Sequence, residues 1–155
     1  MLSSCAEDTQ EIARQMGRVL TPGDVVALTG DLGSGKTVFC KGIGEALAIP
    51  PDRIVSPSFT IVAEHRGDVL LYHVDVYRLH SEREAADIGL DEILYGEGIS
   101  VVEWADRITS MLPNNCIKVK FLLLSGTGRR LIISAEDGPR MQEFAERCRR
   151  YLPGG

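Results

Sequence analysis

The apolar positions of this chain change their period several times, and each change marks an element. From Glu7 to Leu20, the residues Ile12, Met16, Val19 and Leu20 recur at helical spacing, with Arg14, Gln15 and Arg18 elsewhere, which predicts an amphipathic helix. Thr21-Pro22-Gly23-Asp24 reads as a turn. Val25 to Thr29 is an apolar run with two adjacent valines, the pattern of a strand buried on both faces. Thr37 to Ala48 returns to helical character and is stopped by Ile49-Pro50-Pro51.

Beyond the prolines the period shortens. Ile54 to Glu64 and Val69 to Val76 predict two strands, joined by His65-Arg66-Gly67-Asp68 as a hairpin. Tyr77 to Gly89 is polar with a helical middle at Glu82 to Asp87, and Asp91 to Tyr95 is a short helical turn. Ile99 to Trp104 predicts another strand. Ile117 to Leu124 and Arg130 to Ala135 predict a second hairpin around Ser125-Gly126-Thr127-Gly128. Pro139 to Tyr151 reads as a helix with proline at its start. Strand, glycine loop and helix come first and hairpins follow. That order predicts an α/β fold of three layers with a mixed parallel and antiparallel sheet.

Composition adds bounds. A chain of 155 residues supports one core, so a single domain over 1–155 is expected. With 44% hydrophobic and 25% charged residues, it matches an ordinary soluble protein. The balance of 17 basic against 22 acidic residues gives −5, which argues against broad nonspecific binding to a polyanion. Between Pro139 and Gly155 lie Arg140, Arg147, Arg149 and Arg150 against Glu143 and Glu146, read as a solvated helix face. Cys5, Cys40, Cys116 and Cys148 show neither C-x-x-C nor metal-ligand spacing, consistent with a reducing compartment. The N-terminus lacks a signal pattern, and no apolar run approaches membrane-spanning length. A cytoplasmic protein with no membrane partner is expected.

The most informative stretch is GDLGSGKT, residues 30 to 37, which fits G-x-x-x-x-G-K-[ST] between an apolar strand and a helix. Gly30, Gly33 and Gly35 allow a tight turn whose backbone N–H groups converge on an anion at a helix N-terminus. Lys36 is placed to reach the β- and γ-phosphates, and Thr37 to offer a hydroxyl to Mg²⁺. This is a phosphate-loop NTPase-like arrangement.

Phosphoryl transfer also needs carboxylates at the ends of neighbouring strands. Asp75, in LLYHVDVYRL, and Glu103, in ISVVEWADR, both follow apolar runs. One would hold Mg²⁺ while the other orients or deprotonates water; the pattern does not divide the roles. The stretch Ser56-Pro57-Ser58-Phe59-Thr60 is either a turn or a loop that senses the γ-phosphate and its metal. Trp104 either packs in the core or stacks at the mouth of the site. His65, His73 and His80 have no metal spacing and read as structural. Ser125-Gly126-Thr127-Gly128 reads as a hairpin turn.

Taken in order, GDLGSGKT, SPSFT, YHVDVYRL, DIGLDE and VVEWADR resemble the TsaE family of bacterial ATPases in tRNA threonylcarbamoyladenosine formation. The resemblance covers roughly Glu7 to Arg107; beyond Leu112 only the hairpin-and-helix layout is shared. It implies an accessory ATPase with TsaD and TsaB as partners. These place threonylcarbamoyl on the adenosine beside the anticodon of tRNAs reading codons that begin with A. tRNA would be met indirectly, through the complex, and hydrolysis would reset that complex between turnovers. ATP and Mg²⁺ are the implied cofactors.

By motif, the resemblance implies that Asp31, Leu32, Gly33, Ser34, Gly35, Lys36, Thr37 and Val38 hold the phosphates. It further implies Thr37 and Asp75 as Mg²⁺ ligands, with Glu103 beside the metal as the second acid needed for hydrolysis. Ser58 stands where the family usually has threonine, Trp104 follows the acid, and Thr9 corresponds to a segment over the adenine. No N-K-x-D element selects guanine. Without an arginine finger in evidence, weak turnover alone is expected, completed by partners. Two other classes fit a phosphate loop of this size. One is a small-molecule kinase with Arg78 and Arg83 in a lid; the other is a binding switch with negligible hydrolysis.

Overall fold

The computed structural model of the protein describes residues 1–136 and 138–154, so Asp137 and the Gly155 end of the arginine-bearing segment lie outside the described residues. In chain order the strands are β1 (Leu2–Ser3), β2 (Val25–Thr29), β3 (Val62–Arg66), β4 (Leu70–Asp75), β5 (Ile99–Glu103), β6 (Ile117–Leu123) and β7 (Arg129–Ser134). The helices are α1 (Ala6–Gly17), α2 (Lys36–Ala46), α3 (Glu82–Asp87), α4 (Leu90–Leu94) and α5 (Gly138–Arg147). They build one mixed sheet in the order β1-β7-β6-β2-β5-β4-β3. β6, β2, β5 and β4 are mutually parallel; β3 and β7 run antiparallel to their neighbours β4 and β6. The expected three-layer, mixed-sheet architecture is the one observed.

Alternation along β2 divides the core. Val26 and Leu28 join the layer under α1, α2 and α5, whereas Val25 and Ala27 face α3, α4 and a 3-10 segment at Ala105–Met111. Both faces of β2 are therefore covered, as its unbroken apolar run requires. Ile12 and Met16 of α1 are fully buried, each contributing about 1.5–3 kcal/mol of hydrophobic stabilisation. α1 and α2 lie so close that a Cβ on Gly42 would sit 2.2 Å from the Gln10 carbonyl oxygen. Only glycine permits that approach.

Several boundaries differ from the pattern. Ile54 to Ile61 is not strand. Pro57 has no N–H to give a ladder, the Ile61 N–H donates to the Pro57 carbonyl at 2.6 Å, and Ile61 adopts φ 67°. The segment turns instead, and only Val62 onward pairs with β4. α1 stops at Gly17 and α2 at Ala46, earlier than the apolar spacing suggested. The terminal helix divides into α5 and a 3-10 turn at Arg149–Tyr151. The two-residue β1, which pairs with Arg129 and Arg130, has no periodicity to announce it. Arg140 is not simply solvated: its guanidinium bonds Asp24 at 2.6 Å, tying α5 to the turn before β2. Among the described residues no helix is long and apolar enough to cross a membrane.

Candidate nucleotide and metal site

The site forms where β2, β5 and β4 end side by side. Gly30 and Gly35 adopt φ 147° and 106°, so the loop doubles back and delivers α2 with its first turn facing the strand ends. A side chain at Gly30 would also meet Phe121 at 2.8 Å. Lys36 opens α2 and is almost buried. Its Nζ donates to the Gly30 and Asp31 carbonyls at 2.7 and 2.9 Å and lies 3.9 Å from the centre of the Trp104 ring. Burial lowers the Lys36 pKa below the usual lysine value, partly opposed by Glu103, Asp75, Asp106 and Asp31.

The parallel register sets Asp75 directly beside Glu103, and Glu103 beside Leu28. Alternation puts Leu71, His73 and Asp75 of β4 on one face, the face of α2. Glu103, 3% exposed, is held from three directions. Thr37 Oγ1 donates to it at 2.9 and 3.2 Å, His73 Nε2 lies 2.7 Å from Oε1, and Cys40 Sγ lies 3.8 Å away. Asp75 accepts from Ser56 Oγ at 2.7 Å and from the Tyr77 backbone N–H at 2.9 Å. A hydroxyl and two carboxylates thus converge below the phosphate loop. They are hard oxygen donors of the kind Mg²⁺ takes.

The cleft above them has a volume of ≈ 520 Å³. Of the residues expected from the sequence, it is lined by Leu32, Gly33, Ser34, Gly35, Lys36, Thr37, Val38, Ser58, Asp75, Glu103 and Trp104. Asp31, also expected there, is not in the lining; its carbonyl accepts from Lys36 Nζ at 2.9 Å. Trp104 satisfies both of its readings: it packs against the second core layer and lines the cleft, over Lys36 and 4.7 Å from the Tyr77 ring. Ser56, Tyr77 and Arg78 complete the rim.

Two further expectations do not meet the cleft. Thr9 is fully buried, its hydroxyl 2.8 Å from Ser3 Oγ and 2.8 Å from the Arg129 guanidinium, because the first turn of α1 packs against β1 and β7. Arg83 is exposed on α3 away from the lining, so the pair Arg78 and Arg83 forms no lid over it. Three contributors escaped sequence reasoning. His73 read as structural and Cys40 as a cysteine without ligand spacing, and neither had a partner in the pattern. Arg129 lies against Gly35, 3.6 Å from where a Cβ would stand, because β7 pairs with β6 and β6 with β2, the strand that leads into the loop.

The glycine loop at the head of α2, set in this sheet, defines an α/β protein of the phosphate-loop class. The family profile described as Threonylcarbamoyl adenosine biosynthesis protein TsaE matches residues 3–131, and the chain belongs to the TsaE family. A Bacillus subtilis (strain 168) relative named tRNA threonylcarbamoyladenosine biosynthesis protein TsaE is 43% identical over 147 residues, covering 94% of this chain and 90% of its own. A Treponema pallidum (strain Nichols) protein of the same name is 40% identical over 133 residues, covering 86% and 98%. The solved structure of Bacillus subtilis YdiB superposes with a TM-score of 0.78 at 37% identity, covering 97% of this chain and 93% of that one.

Proposed function

We propose that the chain binds ATP with Mg²⁺ in the ≈ 520 Å³ cleft and hydrolyses it as the accessory ATPase of tRNA threonylcarbamoyladenosine formation, within a complex with TsaD and TsaB. The observation that carries this is the Thr37–Glu103 hydrogen bond at 2.9 Å, beside Asp75, in a chain of the TsaE family.

The chemistry assigns roles. Backbone N–H groups from Gly33 to Thr37 take the phosphates, and Lys36 exchanges the Gly30 and Asp31 carbonyls for β- and γ-oxygens. Thr37 donates a hydrogen bond to Glu103 and keeps its proton, so the lone pairs of its hydroxyl oxygen would be free to face the cation. Asp75 and Glu103 supply carboxylate oxygens, and Glu103 also orients the attacking water. A Mg²⁺ ion held by Thr37, Asp75 and Glu103 would supply positive charge against the phosphates. Among the described residues Arg78 is the arginine in the cleft lining, and it stacks on Phe59 at 4.1 Å, while Arg129, beside Gly35, is held by the Cys5 carbonyl and the Thr9 hydroxyl. A partner therefore completes the site, and isolated turnover is weak. TsaD and TsaB are the implied partners, with tRNA reached through them.

The test is sustained threonylcarbamoyladenosine formation by purified TsaD, TsaB, tRNA and this chain with ATP. Wild type supports repeated turnover and Lys36→Ala does not. A wild-type chain that adds nothing to TsaD and TsaB overturns the proposal.

A further inference from the structure

His73 is 0% exposed, in the middle of β4, yet it is polar. Its Nε2 lies 2.7 Å from Glu103 Oε1, and its Nδ1 has no partner. A carboxylate only accepts hydrogen bonds, so Nε2 is the donor in this pair. The tautomer with its proton on Nδ1 alone would bury an N–H without a partner and face two acceptors across 2.7 Å. The buried polar ring therefore directs its Nε2–H at Glu103.

Cys40, His73 and Glu103 hold their donor atoms within 4.8 Å of one another, which invites a metal reading. Burial, reinforced by Glu103, keeps the Cys40 thiol well above its ordinary pKa, and a thiol is no zinc ligand until deprotonated. The trio is a hydrogen-bonded support instead. Thr37 takes Glu103 from the α2 side and His73 from the β4 side, so the carboxylate plane is clamped between helix and strand.

We infer that His73 is a positioning residue: it fixes the Glu103 carboxylate in the orientation that serves Thr37, the cation and the attacking water. The inference rests on the nucleotide reading above. It acts through Glu103 and does not line the cleft, so it governs cation affinity and turnover while leaving nucleotide affinity alone. Loss of such a supporting partner typically costs 10–100-fold in metal affinity or activity.

The experiment compares His73→Gln, His73→Asn and His73→Leu in the full chain. The glutamine amide nitrogen stands as many bonds from Cα as Nε2 does; the asparagine nitrogen stops one bond short. Mg²⁺ is titrated at saturating non-hydrolysable ATP analogue, read by Trp104 fluorescence, and ATP turnover is measured with TsaD and TsaB. Leucine and asparagine are expected to raise half-saturating Mg²⁺ roughly tenfold and lower kcat roughly 10–100-fold with KM for ATP unchanged, while glutamine stays close to wild type. Wild-type Mg²⁺ response in the leucine or asparagine variant, or glutamine as impaired as leucine, overturns the inference. If leucine fails to fold, the glutamine–asparagine pair decides alone. A wild-type chain that binds Mg²⁺ and nucleotide without hydrolysing it sinks the ATPase reading while the Mg²⁺ titration still decides His73. A wild-type chain that binds neither sinks both.

Discussion

Asp75 and Glu103 stand side by side in the β4–β5 register, yet they are supported by different kinds of structure. Glu103 is clamped by α2 through Thr37 and Cys40, and by β4 through His73. These are regular elements packed on the larger core layer. Asp75 is held by Ser56, from an irregular loop, and by the backbone of the residue two places on. The contrast teaches which acid the fold fixes and which acid depends on a loop. Glu103 is preorganised; Asp75 reports where the SPSFT segment is.

The largest effect expected is at the clamped acid. Glu103→Gln keeps the shape and should lower ATP hydrolysis by on the order of 10²–10⁴, with nucleotide binding little changed. Equal loss of binding and turnover would make Glu103 a structural strut instead. Asp75→Asn should cost less, roughly 10-fold in Mg²⁺ half-saturation and turnover, because Glu103 and Thr37 remain. A loss at Asp75 exceeding that at Glu103 reverses the comparison. Ser56→Ala removes only the loop's grip on Asp75. One hydrogen bond of about 0.5–1.5 kcal/mol predicts a few-fold fall in turnover and a more protease-sensitive 54–61 segment, checked by steady-state kinetics and limited proteolysis.

The smallest effect is a shift in a pH limb. Lys36 has a folded-state pKa below 10.5, mainly from burial. Between that lowered value and 10.5 the native state holds fewer protons than the unfolded chain, so stability rises with pH across this window while the phosphate-binding charge is lost. Nucleotide affinity should therefore fall on the alkaline side before an ordinary lysine would titrate. Glu103 opposes the lowering more than Asp75 does. Glu103→Gln should move the limb further toward neutrality than Asp75→Asn, measured by nucleotide titration across alkaline pH.

Legibility in the sequence followed the range of the interactions. The loop from Gly30 to Thr37 announces itself because phosphate chemistry needs its residues contiguous. α3, at Glu82–Asp87, was readable for a similar reason: Ser81 caps it by accepting from the Glu84 N–H, all within one turn. Asp75 and Glu103 were visible as strand-end acids, but their partners were not. Nothing local says that His73 meets Glu103, or that Arg129 reaches Gly35; sheet order creates both contacts. The stretch from Ile54 read as strand because Ile, Val and Phe favour it. Pro57 and the left-handed Ile61 overrode that preference.

The parallel pairing that aligns the two acids has a consequence for how competence is acquired. The phosphate loop is drawn from one continuous stretch, whereas the carboxylates meet it only when β5 inserts between β2 and β4, closing long stretches of chain. Contacts of such different range form at different speeds. During refolding, recovery of hydrolysis should therefore not precede amide protection of β5, measured by pulsed hydrogen exchange beside turnover.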